Sequence, residues 1–197
     1  LPTRTGADPA YPGSDGIFPV TSTLVYGERE ALLVDTQFVA RNARRLVEAV
    51  RAARRELKFV FISHSDPDYY FGLDVIREAF PNARVLSTAQ TAHLISASQQ
   101  DKLQVWKDKL GADAPRNLSV PTALVGDRLS LEGKEIVVRQ RPEDSAHAYL
   151  WIPSTGTVLG GIPVASGAHL WMADTRGVAG IDQWLAVLDD MKSLKPR

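Results

Sequence analysis

The chain has no cysteine, no surplus of charge of either sign and no long apolar run, and each absence closes off a class of function. Without thiols there can be no disulfide, no thiolate metal site and no cysteine nucleophile. The compartment stays open, because a cysteine-free chain suits reducing and oxidising surroundings alike. Lys plus Arg and Asp plus Glu number 23 each, so the basic footprint of a nucleic-acid binder is missing. No segment approaches the roughly 18 consecutive apolar residues of a spanning helix, so a membrane is not an expected partner either. The G-x-S-x-G elbow, the P-loop and the G-x-G-x-x-G fingerprint are absent too, as is any internal repeat. The first residue is Leu1 rather than Met, which implies a processed or trimmed N-terminus. A soluble protein is expected, cytoplasmic or, if a leader was removed, periplasmic.

What is present is an ordinary globular composition, 44% apolar and 23% charged over 197 residues, enough for one domain spanning 1–197. Residues 1–16, with three Pro and three Gly, read as an irregular lead-in. Ile17–Tyr26 and Ala31–Val34 read as a strand hairpin ending at Asp35. Apolar positions 43, 46, 47, 50, 53 and 57 give a helix from Arg41 to Leu57 with a solvated arginine face. A buried strand over Phe59–Ile62 follows, then a helix over Leu73–Phe80 and a strand over Arg84–Ser87. A long helix from Thr88 to Leu110 is closed by Gly111. Strands are then expected at Leu118–Val125, Arg128–Leu131, Glu135–Gln140, Ala148–Ile152 and Thr157–Leu159, before a closing amphipathic helix over Ile181–Leu194. Strands and helices first, a run of strands next and a final helix predict an α/β sandwich with helices outside two packed sheets.

The chemistry concentrates directly after the buried strand, in His64-Ser-Asp66-Pro-Asp68-Tyr69-Tyr-Phe-Gly72. Pro67 disfavours helix at Asp66, so this polar cluster is expected on a loop. An imidazole and two carboxylates at the mouth of a strand are where α/β proteins commonly place a site. Read without a family, Asp66 and Asp68 serve equally as turn-forming carboxylates beside a proline. Asp35 reads as structural, fixing the loops beneath the site, and His93 as a surface or structural residue of the long helix.

This segment resembles the H-x-H-x-D-H-x-x-G signature of the metallo-β-lactamase superfamily. The hairpin ending Leu32-Leu-Val-Asp35-Thr and the later order Tyr149–Pro153, Thr157–Gly161, His169–Asp174 and a helix resemble it as well. The resemblance implies a four-layer αββα sandwich with a metal site at one edge of the sheets, lacking the family's C-terminal strand and helix. A second copy of the chain, as a homodimer, would then cover the sheet edge. His64 and Asp68 match the signature, whereas Asp66 and Tyr69 stand at its second and third histidines. Pro142-Glu143 hold the place of a Gly-His pair, and Ile162 follows Gly160-Gly161 where a bridging Asp is usual.

The resemblance therefore implies one divalent metal at most, on His64, Asp66 and Glu143, with Asp68 orienting a water or acting as general base. Carboxylates in place of imidazoles shift preference from Zn²⁺ toward Mn²⁺, Fe²⁺ or Mg²⁺. Tyr69, His147 and His169 are the candidate substrate contacts. His147 reads equally as a hydrogen-bonded strand residue, and His169 as a capping or core histidine. The expected function is metal-dependent hydrolysis of a small ester, lactone or amide. The alternative is a catalytically silent member of the fold that binds a small molecule or protein partner without metal.

Overall fold

The computed structural model describes residues 2–4, 17–141, 147–164, 170–172, 175 and 177–197. Eleven strands and five α-helices are assigned among them. Strands β1 (Pro2–Arg4) and β2 (Ile17–Pro19) form a small antiparallel ribbon. Next come β3 (Thr23–Tyr26), β4 (Glu30–Val34), helix α1 (Ala40–Ala53) and β5 (Glu56–Ile62). A short helix α2 (Pro67–Tyr70), α3 (Leu73–Ala79), β6 (Arg84–Ser87), α4 (Ala89–Leu110) and β7 (Thr122–Ala123) complete the first half. The second half holds β8 (Arg128–Leu131), β9 (Lys134–Arg139), β10 (Tyr149–Ile152), β11 (Thr157–Leu159) and α5 (Gly177–Ser193).

Two sheets result. One has the order β3-β4-β5-β6-β7, parallel from β4 to β7 with β3 antiparallel at its edge. The other, β11-β10-β9-β8, is antiparallel throughout. Strand alternation assigns the layers, because successive side chains of a strand leave on opposite faces. Leu32, Val34, Phe59 and Phe61 point between the sheets and meet Leu129, Leu131, Ile136, Val138, Leu150 and Ile152. The intervening Ala31, Leu33, Val60 and Ile62 point outward onto Leu46, Val47 and Val50 of α1, Leu73 and Ile76 of α3 and Ile95 of α4. Tyr149, on the outer face of the second sheet, packs against Val187 and Met191 of α5. The layers run helix, sheet, sheet, helix, the architecture expected of the sequence.

Polar locks hold the layers in register. Glu132, in the turn between β8 and β9, accepts hydrogen bonds from the backbone N–H groups of Glu28 (3.0 Å), Arg29 (2.5 Å) and Glu30 (2.7 Å). Glu30 replies by accepting from the Glu132 N–H at 3.0 Å and pairing with Lys58 at 2.8 Å. These donors hold both carboxyls below the usual carboxylate range: Lys58 contributes most at Glu30, and the Glu30 and Arg29 amides at Glu132. On the far side, Arg139 and the Tyr149 hydroxyl both donate to Asp190 of α5, the latter at 2.6 Å.

Several sequence expectations need correction. The lead-in is not wholly irregular, since residues 2–4 pair with residues 17–19; such a short pairing leaves no periodic pattern. The expected strand 17–26 is two strands, with Pro19, which has no amide hydrogen to donate, closing the first. Helix α1 stops at Ala53 because Arg54 takes the left-handed conformation (φ 54°), its amide bonding back to Arg51 O. Leu57 consequently belongs to β5, not to the helix. The expected strand 118–125 shrinks to Thr122–Ala123, just after Pro121, and Val125 lies 95% exposed. Helix α5 begins at Gly177, four residues ahead of its apolar pattern.

Candidate active site at the carboxyl end of β5

Strand β5 is buried from Phe59 to Ile62, and its alternation sends Phe61 and then Ser63 toward the space between the sheets. Ser63 is fully enclosed there and acts as a hub. Its N–H and its Oγ donate to the two carboxylate oxygens of Asp35, at 2.8 and 2.7 Å. The same Oγ accepts the Gly161 N–H at 2.8 Å. The ends of β4 and β5 and the loop after β11 are thus tied at one point. Asp35 is structural, as expected, and adopts φ 63°, a left-handed conformation that Asp tolerates better than most side chains.

Two glycines permit this closeness. At Gly161 (φ 73°) a Cβ would fall 2.2 Å from Ala148 O. At Gly72 it would fall 2.0 Å from Thr36 O and 2.7 Å from the Ala43 Cβ. Gly72 also donates to Gln37 O, and Thr36 donates to Tyr69 O at 2.8 Å, so the 35–37 segment cradles the site from below.

His64 follows Ser63 and is 3% exposed. Its Nδ1 accepts the Asp66 N–H at 3.1 Å, which leaves the proton of a neutral ring on Nε2. The Asp66 carboxylate lies 3.6 Å from the same nitrogen. Asp66 is extended (φ −77°, ψ 149°) and precedes Pro67 at the first position of α2. Asp68 and Tyr69 therefore sit on a helical turn rather than on the expected loop. Proline is well tolerated at a helix start, and the Asp66-Pro67 pair was the available signal.

The Tyr69 ring packs against the His64 ring, centroids 5.0 Å apart. Burial pushes the Asp68 carboxyl up to about 7, with the Asp66 charge adding to the rise and Lys102 opposing it. Burial likewise lifts Asp35 to about 7 against the pull of its Ser63 hydrogen bonds, with Asp68 adding to it. The Tyr69 phenol is raised by burial and by the charges of Asp68, Asp35 and Asp66, so it stays neutral.

The remaining candidates divide. His147 is buried, and its ring lies on Trp184 of α5, centroids 4.3 Å apart; the indole donates to Pro163 O. That contact places the His147 ring against α5 beside the second sheet. His93 is exposed on α4. Glu143 and His169 lie outside the described residues. The sequence reading missed Ser63, whose role depends on Asp35 and Gly161, and Lys102 of α4. The Lys102 ammonium donates to Ser65 O at 2.8 Å and to Asp66 Oδ1 at 3.2 Å.

Among the described residues no three His, Asp or Glu side chains are gathered to hold one ion. The described donors do suit a divalent cation chemically: an imidazole and a carboxylate are neighbours, and a second carboxylate nearby is held with poor solvation. Metal binding through His64 Nε2 requires the ring proton to move to Nδ1 and the Asp66 N–H contact to open.

Comparison with known proteins agrees with this architecture. The family described as the metallo-β-lactamase superfamily matches residues 15–197. A metallo-β-lactamase from Pontibacter korlensis superposes with a TM-score of 0.68 at 14% identity, covering 91% of this chain and 77% of its own. The DIM-1 metallo-β-lactamase exposed to ceftazidime gives a TM-score of 0.64 at 20% identity, over 92% of this chain and 77% of its own. These likenesses concern the fold. A Bacillus subtilis (strain 168) relative, uncharacterized protein YobT, is 26% identical over 91 residues. That alignment takes in 45% of this chain and 39% of the relative's length.

Proposed function

Because the chain belongs to the metallo-β-lactamase superfamily, we propose that it hydrolyses a small ester, lactone or amide at the carboxyl end of β5. In this reading His64, Asp66 and Glu143 hold one divalent ion, Zn, Mn or Fe. When bound, such an ion supplies a water acidic enough to ionise near neutral pH and a Lewis acid for the scissile group. Asp68 orients the attacking water and takes its proton on a carboxylate oxygen. Tyr69 remains a neutral phenol and keeps the His64 ring in place from one side. His169 and His147 are assigned to the substrate side.

The observation that supports this best is the crowding of Asp66 and Asp68 beside a buried imidazole. A poorly solvated Asp68 carboxyl beside the Asp66 charge is a costly arrangement for a stable fold, and a cation relieves it. The test is a thermal melt of wild type and His64→Ala in EDTA and with added Mn²⁺ or Zn²⁺, paired with assays on an ester and lactone panel. A ligand that binds only the native state raises the midpoint. The reading expects a metal-dependent rise and metal-dependent turnover in wild type, both lost in His64→Ala. Turnover that is indifferent to His64 and to chelation contradicts it.

One observation favours a second reading, in which the protein is a silent member of the fold that binds a small molecule or protein partner. Asp66 already has a cation, the Lys102 ammonium, within hydrogen-bond distance. No midpoint shift with any metal, and no hydrolysis, selects this reading.

A further inference from the structure

We propose that Lys102 is a built-in counter-cation of the site, competing with a divalent ion for Asp66 and thereby setting how tightly that ion is held. This rests on the hydrolase reading above and concerns the regulation of the same site.

Lys102 comes from within α4, a 22-residue helix fixed at its start by Thr88, whose Oγ1 accepts the Thr91 N–H at 3.1 Å. Only 26% of its side chain is exposed. Its ammonium is directed onto two groups of a single loop, Ser65 O and Asp66 Oδ1. A solvated surface lysine has no reason to converge in this way, because water satisfies an ammonium well and a flexible stem loses freedom when held.

Two carboxylates beside His64 therefore face one fixed positive charge. A dication entering at Asp66 meets that charge at short range, where repulsion between like charges is strong in a partly desolvated place. It must displace the ammonium or bind against it. The same contact holds Asp66 in the position from which its N–H reaches His64 Nδ1. Lys102 thus favours the arrangement in which the imidazole is engaged within its own loop.

The test is equilibrium dialysis against Mn²⁺ and, separately, Zn²⁺, with bound metal measured directly. It compares wild type, Lys102→Met, which keeps the aliphatic stem, Lys102→Gln, which keeps polarity, and Lys102→Arg, which keeps the charge. Circular dichroism confirms that each is folded. Both neutral variants are expected to bind at least about tenfold more tightly than wild type, with the arginine variant close to wild type. Adding His64→Ala to Lys102→Met is expected to abolish the gain. Equal affinity in wild type and both neutral variants, or weaker binding in the neutral ones, overturns the proposal while leaving the hydrolase reading intact. No bound metal in any variant overturns both.

Discussion

Replacing Ser63 with Ala removes one oxygen and strips partners from two elements at once. The Asp35 carboxylate loses the shorter of its two donors, at 2.7 Å, and the Gly161 N–H loses its acceptor, at 2.8 Å. The Ser63 N–H bond to Asp35 remains. At about pH 8, above the raised value of Asp35, a hydrogen bond to this charged buried group contributes about 1.5–3 kcal/mol, and the half-exposed Gly161 amide adds about 0.5–1.5 kcal/mol because water can partly replace its partner. The expected loss is about 2–4 kcal/mol, a large share of the roughly 5–15 kcal/mol that holds a typical domain together. Urea unfolding in EDTA, followed by circular dichroism, reads this as a lower midpoint at unchanged slope. Ser87→Ala is the control: Ser87 is equally buried at the end of the neighbouring strand β6, but its hydroxyl makes one local bond, to Thr88 O at 3.0 Å. That change should cost about 1 kcal/mol. If Ser63→Ala costs no more than Ser87→Ala, Ser63 does not join the two sheets beneath the site and the reasoning fails.

Other predictions follow from the same geometry. Asp35 has its carboxyl raised from 3.8 to about 7 in the fold, so the folded state holds the proton more tightly and stability falls as pH rises through this window. Between pH 5 and 7 this one group should remove about 2 kcal/mol, measured as a drop in urea midpoint in EDTA that shrinks in Asp35→Asn; an unchanged drop refutes it. Gly72→Ala should cost more than about 3 kcal/mol or prevent soluble expression, since its Cβ would sit 2.0 Å from a backbone oxygen. A variant with wild-type melting behaviour would contradict that approach. Tyr70→Phe should be neutral or stabilising by up to about 1 kcal/mol, because the Tyr70 hydroxyl is buried with no hydrogen-bond partner among the described residues. A clear loss of stability would show that the hydroxyl is satisfied.

The strongest parts of the fold were legible because they are periodic. The continuous apolar runs of β4 and β5, the stripe on α1 and the alternation of β8 each carry their own burial pattern, and together they define the layers. The punctuation failed where tertiary contacts decide. Arg54 ends α1 in a left-handed conformation with no glycine to announce it, and β7 survives beside Pro121 as two paired residues. At the site, His64, Asp66 and Asp68 were visible as a cluster because five residues carry all three. Ser63 was passed over as one hydroxyl among several, since its importance depends on partners 28 and 98 residues away. Lys102 carries no local signal in the sequence, and only the packing of α4 brings it to Asp66, 36 residues earlier.

The most direct test of the central claim is a count of bound metal. Wild type and His64→Ala, stripped with EDTA and dialysed against excess Mn²⁺ or Zn²⁺, should hold one ion per chain and none, respectively. The same content in both proteins, whether one or zero, would contradict a metal centre built on His64.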